Sequence, residues 1–153
     1  MERDLLRSAG AVGPSTLILA TEPSTPAQSH SPMPESTSSQ FAPLQSVLLQ
    51  SRVDLLNEVA RRAVLTAVFS ETPAPAGRRY RAVSLDAYEP LAVERSLIVV
   101  APMFTAVLLA VDRGQAPDGA RVYDYRLSTD RDVVLDAATV LLRRIPTGTA
   151  TEA

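Results

Sequence analysis

The 153-residue chain has no cysteine, no lysine and no tryptophan, and its single histidine is His30. Without cysteine there is no disulfide framework, no thiolate metal site and no cysteine nucleophile. Without lysine no side-chain amine can form a Schiff base or hold a phosphate as the Walker-A lysine does, which closes pyridoxal chemistry and P-loop nucleotide sites. One histidine gives imidazole-ligated zinc or a Ser-His-Asp triad a single candidate, and His30 sits in a stretch with no partner ligands. The six glycines form no GxGxxG fingerprint. Asp130-x-Asp132 lacks the glycine and glutamate of a calcium loop. No cofactor or metal is implied by any of these residues.

What remains is ordinary globular composition. Hydrophobic residues make up 46% and charged residues 21%, so wholesale disorder is excluded. The length suits one domain rather than two with separate cores. All 15 basic residues are arginines and the net charge is −2. Arginine in place of lysine fits a high-GC genome first, an overlapping reading frame of the kind viruses use second, and selection against lysine modification third. Arginines pair at Arg61-Arg62, Arg78-Arg79 and Arg143-Arg144, each with acids close by. The absence of a basic excess argues against nucleic acid as a partner.

Along the chain, residues 1–42 read as an extended arm. Proline, serine and threonine fill 13 of the 20 positions from 21 to 40, a composition that buries too little apolar surface to offset its ordering entropy. Leu17-Ile18-Leu19-Ala20 is shorter than the apolar core of a secretory signal. Residues 43–146 read as the folded domain, and 147–153 as a flexible tail. Pro43 to Phe69 shows helical periodicity: Gln50, Asp54, Asn57, Glu58, Arg61 and Arg62 form a polar face, with Leu49, Val53, Leu56, Ala60, Ala63, Val64 and Ala67 opposite. A continuous helix of that length would be ~40 Å long, beyond what a domain of this size covers.

After the breaker loop at 70–77 the signal turns to strands: Arg79–Leu85, then Leu97–Ala101 and Phe104–Val111 on either side of Pro102, and Arg121–Ser128. In the last of these Val122, Asp124 and Arg126 alternate with Tyr123, Tyr125 and Leu127. A final helix is predicted from about Asp130 to Ile145, capped by Thr129, with Val134, Ala137, Ala138, Leu141, Leu142 and Ile145 as its apolar stripe. The expected fold class is α+β: a small antiparallel sheet covered by helices, with an extended N-terminal arm.

The carboxylates Asp86, Glu89 and Glu94 gather around a turn, but spacing alone supplies neither a cleft nor raised pKa values for acid–base work. The expectation is therefore a non-enzymatic structural or assembly protein acting through oligomeric contacts, with a virus or phage particle component as its most concrete form. Its partner would be another protein, either itself or a larger assembly. The expected interface residues are Leu48, Leu49 and Val53 on the long helix and Tyr123 and Tyr125 on the last strand. The alternative is a membrane- or host-factor-binding accessory protein using the uncharged 97–111 run. At ~22 Å as a helix, that run falls short of the ~30 Å hydrocarbon core.

Overall fold

Leu17–Glu22 and Leu65–Ser70 are short, apolar and rich in aliphatic, β-branched and aromatic residues, and they form the two parallel strands at the heart of the sheet, β1 and β2. The computed structural model describes residues 4–5, 14–22, 52–71, 79–115 and 121–146. Between β1 and β2 lies a helix over residues 52–60, α1. The chain then continues through β3 (Arg81–Ser84), a 3₁₀ turn (Pro90–Ala92), β4 (Glu94–Ala101), β5 (Phe104–Gln115), β6 (Arg121–Ser128) and a helix, α2 (Arg131–Leu142).

The strands lie in the order β3-β2-β1-β4-β5-β6. The first three run parallel, whereas β1–β4, β4–β5 and β5–β6 are antiparallel. The sheet is therefore mixed, six-stranded and dominant, which corrects the expectation of a small antiparallel sheet covered by helices. The physical reason lies in β1 and β2. A strand buried on both faces shows no polar–apolar alternation, so its residues carry no period-2 signature. Leu17–Glu22, expected to be part of the arm, is instead a central strand. Residues 4–5 and 14–16 of the expected arm are also described; the rest of it and the 147–153 tail lie outside the described residues.

Both faces of the central strands are buried. On one, Ile18, Ala20, Val68, Leu97, Val99 and Leu108 pack with Leu56 and Val59 of α1. On the other, Leu19, Ala67, Phe69, Ile98 and Val107 pack with Val134, Ala138 and Leu141 of α2. Residues paired across strands share a face, as the pleat requires: Ile18 opposes Val99, and Leu97 opposes Leu108. Each helix lays its apolar stripe on its own side, giving a helix–sheet–helix stack over the described residues.

The long helix expected over 43–69 departs from the structure at its C-terminal end. After residue 60 the chain closes through Arg62 N–H to Val59 O (2.9 Å) and Ala63 N–H to Val59 O (3.0 Å). Val64 N–H then donates to Thr16 O (2.9 Å) and starts the parallel ladder. Leu-Thr-Ala-Val-Phe is a good strand sequence, and burial between two layers outweighs its weak helical periodicity.

The hairpin around Pro102 and the last helix lie where the sequence placed them. Pro102 and Met103 turn the chain between β4 and β5, closing the Ala101–Phe104 pair. Helix α2 carries the expected stripe, but its N-cap is Asp130 rather than Thr129: Asp130 Oδ1 accepts from Asp132 N–H at 3.0 Å. Asp130→Ala removes the acceptor and a negative charge from the helix N-terminus. We expect it to cost about 1 kcal/mol in urea unfolding, with Thr129→Ala costing less.

Candidate functional site

Two regions gather polar or exposed apolar groups. The first is the carboxyl end of β1. Thr21, fully buried, donates from Oγ1 to Glu94 O (2.7 Å), accepts from Ser96 N–H (2.7 Å) and lies 3.0 Å from Ser96 Oγ. Its side chain thus continues the β1–β4 ladder where the backbone pairing ends at Ala20–Leu97. Beside it, Arg52 of α1 meets Glu22 at 3.1 Å, with the Arg52 side chain buried. This pair ties α1 to the end of β1. These groups are buried or paired with one another.

The carboxylates expected around the turn are also engaged. Glu89 ion-pairs with Arg144 at the end of α2 and accepts from Asp86 N–H at 3.5 Å. Glu94 is half-buried at the start of β4. Asp130 and Asp132 belong to the α2 cap. Among the described residues no three His, Cys, Asp or Glu side chains could hold a metal together, and no helix is long and apolar enough to cross a membrane.

The second region is β6. It is an outer strand, eight residues long, paired on one side only among the described residues. Its α1-side row is Tyr123, Tyr125 and Leu127, opposite Asp112, Ala110 and Leu108 of β5. Helix α1 covers the sheet up to Leu108 and leaves this row open. Tyr125 is 59% exposed and Leu127 49%. Tyr123 is half-buried, and its ring lies 6.2 Å from that of Tyr125 at 44°. Between Tyr125 and β4, Arg95, Leu97, Leu108 and Ala110 line a depression with room for no more than about one water. The Nε of Arg95 is buried there with no hydrogen-bond partner among the described residues.

On the opposite face of β6, Asp124 pairs with Arg113 Nε at 2.6 Å, and Arg126 is exposed. One end of the strand is set by a bulge. Asp112 opposes Tyr123 and Gln115 opposes Arg121, so Arg113 and Gly114 face Val122 alone. Gly114 has φ 95°, a conformation that a side chain disfavours, and its N–H donates to Asp112 Oδ1 at 2.8 Å. The regular edge therefore runs from Val122 to Ser128.

The direction of its free hydrogen-bonding groups follows from the β4–β5 hairpin. A two-residue loop makes Ala101–Phe104 a hydrogen-bonded pair. Alternation along β5 then turns the backbone groups of Val107, Leu109 and Val111 toward β6, where they meet Ser128, Arg126 and Asp124. The N–H and C=O groups of Tyr123, Tyr125 and Leu127 point outward, away from the sheet.

Of the interface residues expected from sequence, Tyr123 and Tyr125 stand together on this edge. Val53 is half-buried on α1, and Leu48 and Leu49 lie outside the described residues. Sequence reasoning did not single out Asp124, Arg126 and Leu127 as edge residues. The alternation through 122–127 was visible, but nothing local says that a strand is outermost. No family model matches the chain, and no curated protein or solved structure is significantly similar to it.

Proposed function

We propose that the chain is a non-enzymatic structural protein that works by assembling through contacts with copies of itself. The observation that carries this is β6: a long, regular outer strand with an exposed tyrosine–leucine row and outward-pointing backbone groups. Such an edge is a template for strand addition, and soluble proteins usually blunt it. The opposite edge illustrates the blunting. Strand β3 has only four residues, begins with the exposed Arg81, and buries only Val83. The narrower reading, a virus or phage particle component, rests on the lysine-free composition and the Pro/Ser/Thr-rich segment, and β6 neither adds to it nor subtracts from it.

Sedimentation velocity over a dilution series tests the proposal. The weight-average coefficient should rise with concentration through the micromolar range and above. A chain that stays monomeric throughout would overturn it. The alternative use of residues 97–111 on a membrane or host factor would require Leu97, Ile98, Val99, Val107 and Leu108, all buried, to leave the core.

A further inference from the structure

We propose that two copies of the chain join β6 to β6 in antiparallel fashion, with Tyr125 on the two-fold axis, so that the sheet runs on from one protomer into its partner. This rests on the assembly reading above and specifies its geometry. A closed two-fold contact between identical antiparallel strands must place some residue opposite itself. For β6 the choices differ in their charges. With Asp124 on the axis two carboxylates face each other, and with Arg126 on the axis two guanidinium groups do. With Tyr123 or Leu127 on the axis, Asp124 and Arg126 do not oppose each other.

Tyr125 on the axis sets Asp124 of each protomer opposite Arg126 of the other, giving two symmetric opposite-charge pairs. It also sets Tyr123 opposite Leu127, and Tyr125 opposite its own copy. Opposite charges and aromatic–aliphatic contacts directly across strands are stabilising, and like charges there are not. This register uses the whole regular edge from Val122 to Ser128, stopping at the Gly114 bulge.

The backbone phase agrees. Tyr123, Tyr125 and Leu127 carry the outward N–H and C=O groups, so their three cross-pairs exchange on the order of six hydrogen bonds. Asp124 and Arg126 then occupy the close, non-hydrogen-bonded positions, where side chains approach best. Asp124 already accepts from Arg113, and a carboxylate has room for a second donor. The exposed faces of Tyr125 and Leu127 would be covered by the partner's row.

The chain contains no cysteine, so single-cysteine variants report on this contact without background. A hydrogen-bonded antiparallel pair holds its Cα atoms about 5.5 Å apart, with side chains too far apart for a relaxed disulfide but within reach of a short bifunctional thiol reagent. With such a reagent Tyr125→Cys should link to its own copy, whereas Tyr88→Cys, on a side chain 99% exposed away from the edge, should not. A mixture of Tyr123→Cys and Leu127→Cys chains should form the mixed dimer, and neither variant alone should link; this arm also carries the test if Tyr125→Cys does not fold. Arg126→Glu, which spares the Asp124–Arg113 pair, should weaken association about tenfold in sedimentation by placing acids opposite acids.

If the unmodified chain associates while Tyr125→Cys stays unlinked in a folded protein, the β6 register is wrong and the assembly reading stands. Equal linking of Tyr88→Cys also overturns the register. A chain that never associates overturns both.

Discussion

Val107→Asp should leave the chain unfolded, or folded only as a minor population, at neutral pH. Val107 is 4% exposed near the middle of β5, opposite Ile98 on β4 and Ser128 on β6, on the face that Val134, Ala138 and Leu141 of α2 close. None of the residues in this cluster carries a charge, so a carboxylate placed there has no ionic partner and loses its water. The cost of such a burial is several kcal/mol after relaxation, in addition to the lost packing of the valine. Against a total stability of about 5–15 kcal/mol that decides the outcome.

Two further substitutions separate the causes. Val107→Thr keeps the shape and adds one hydroxyl, and should cost about 1–3 kcal/mol. Val107→Asn adds polarity without charge and should fall between. Circular dichroism and urea titration of the three variants should therefore give a graded series. A folded, stable Val107→Asp protein would mean that this stretch of β5 does not pack beneath α2.

The same segment shows what sequence can and cannot reveal. The uncharged run 97–111 reads as two strands around Pro102 because proline cannot sit inside a central strand but suits the first corner of a turn. By contrast, β6 with its alternating rows and α2 with its stripe each have a polar side, and polarity is what makes a period visible. The central strands have none. Leu17–Glu22 has four consecutive buried residues, and β2 repeats the pattern. In such a segment every position is apolar or small whatever the backbone does. Leu65–Ser70 accordingly passes for the tail of the preceding helix.

The site is split in the same way. Tyr123 and Tyr125 on one row of β6 are local facts, readable from spacing two apart. That this row is left uncovered depends on how far α1 reaches across the sheet, and that β6 is outermost depends on strand order; both are non-local. The β6 edge is also legible against its opposite. Short length and exposed arginine are the usual devices against strand addition, and β3 has both. On β6, the charges Asp124 and Arg126 are of opposite sign and two residues apart. A strand carrying that pair repels its own copy in some registers and attracts it in another. It therefore discriminates among registers where a uniformly charged edge would refuse them all.

Phe69→Ala is the substitution that tests the least expected part of the fold. If residues 65–69 continued the helix, alanine would improve helical propensity, and the loss would be limited to one side chain on a helix face. In the strand, Phe69 is the largest wholly buried side chain among the described residues, enclosed between Thr21 of β1 and Val83 of β3 in register, and packed with Leu19, Ile98 and Val134 in the cluster beneath α2. Truncating it removes transfer energy and leaves a cavity that the two layers can only partly close, at about 3–5 kcal/mol. Alanine is also a poorer strand residue than phenylalanine, which moves the effect in the same direction. The expected result is a large fall in the urea midpoint with an unchanged slope, since the surface exposed on unfolding is nearly the same. Leu127→Ala on the open row of β6 provides the comparison. Its side chain is half exposed in the monomer, so the loss there should stay within about 1 kcal/mol at dilutions where copies are separate. If the two substitutions cost the same, Phe69 does not sit between the sheet and α2, and β2 is not the strand that joins β1 to β3.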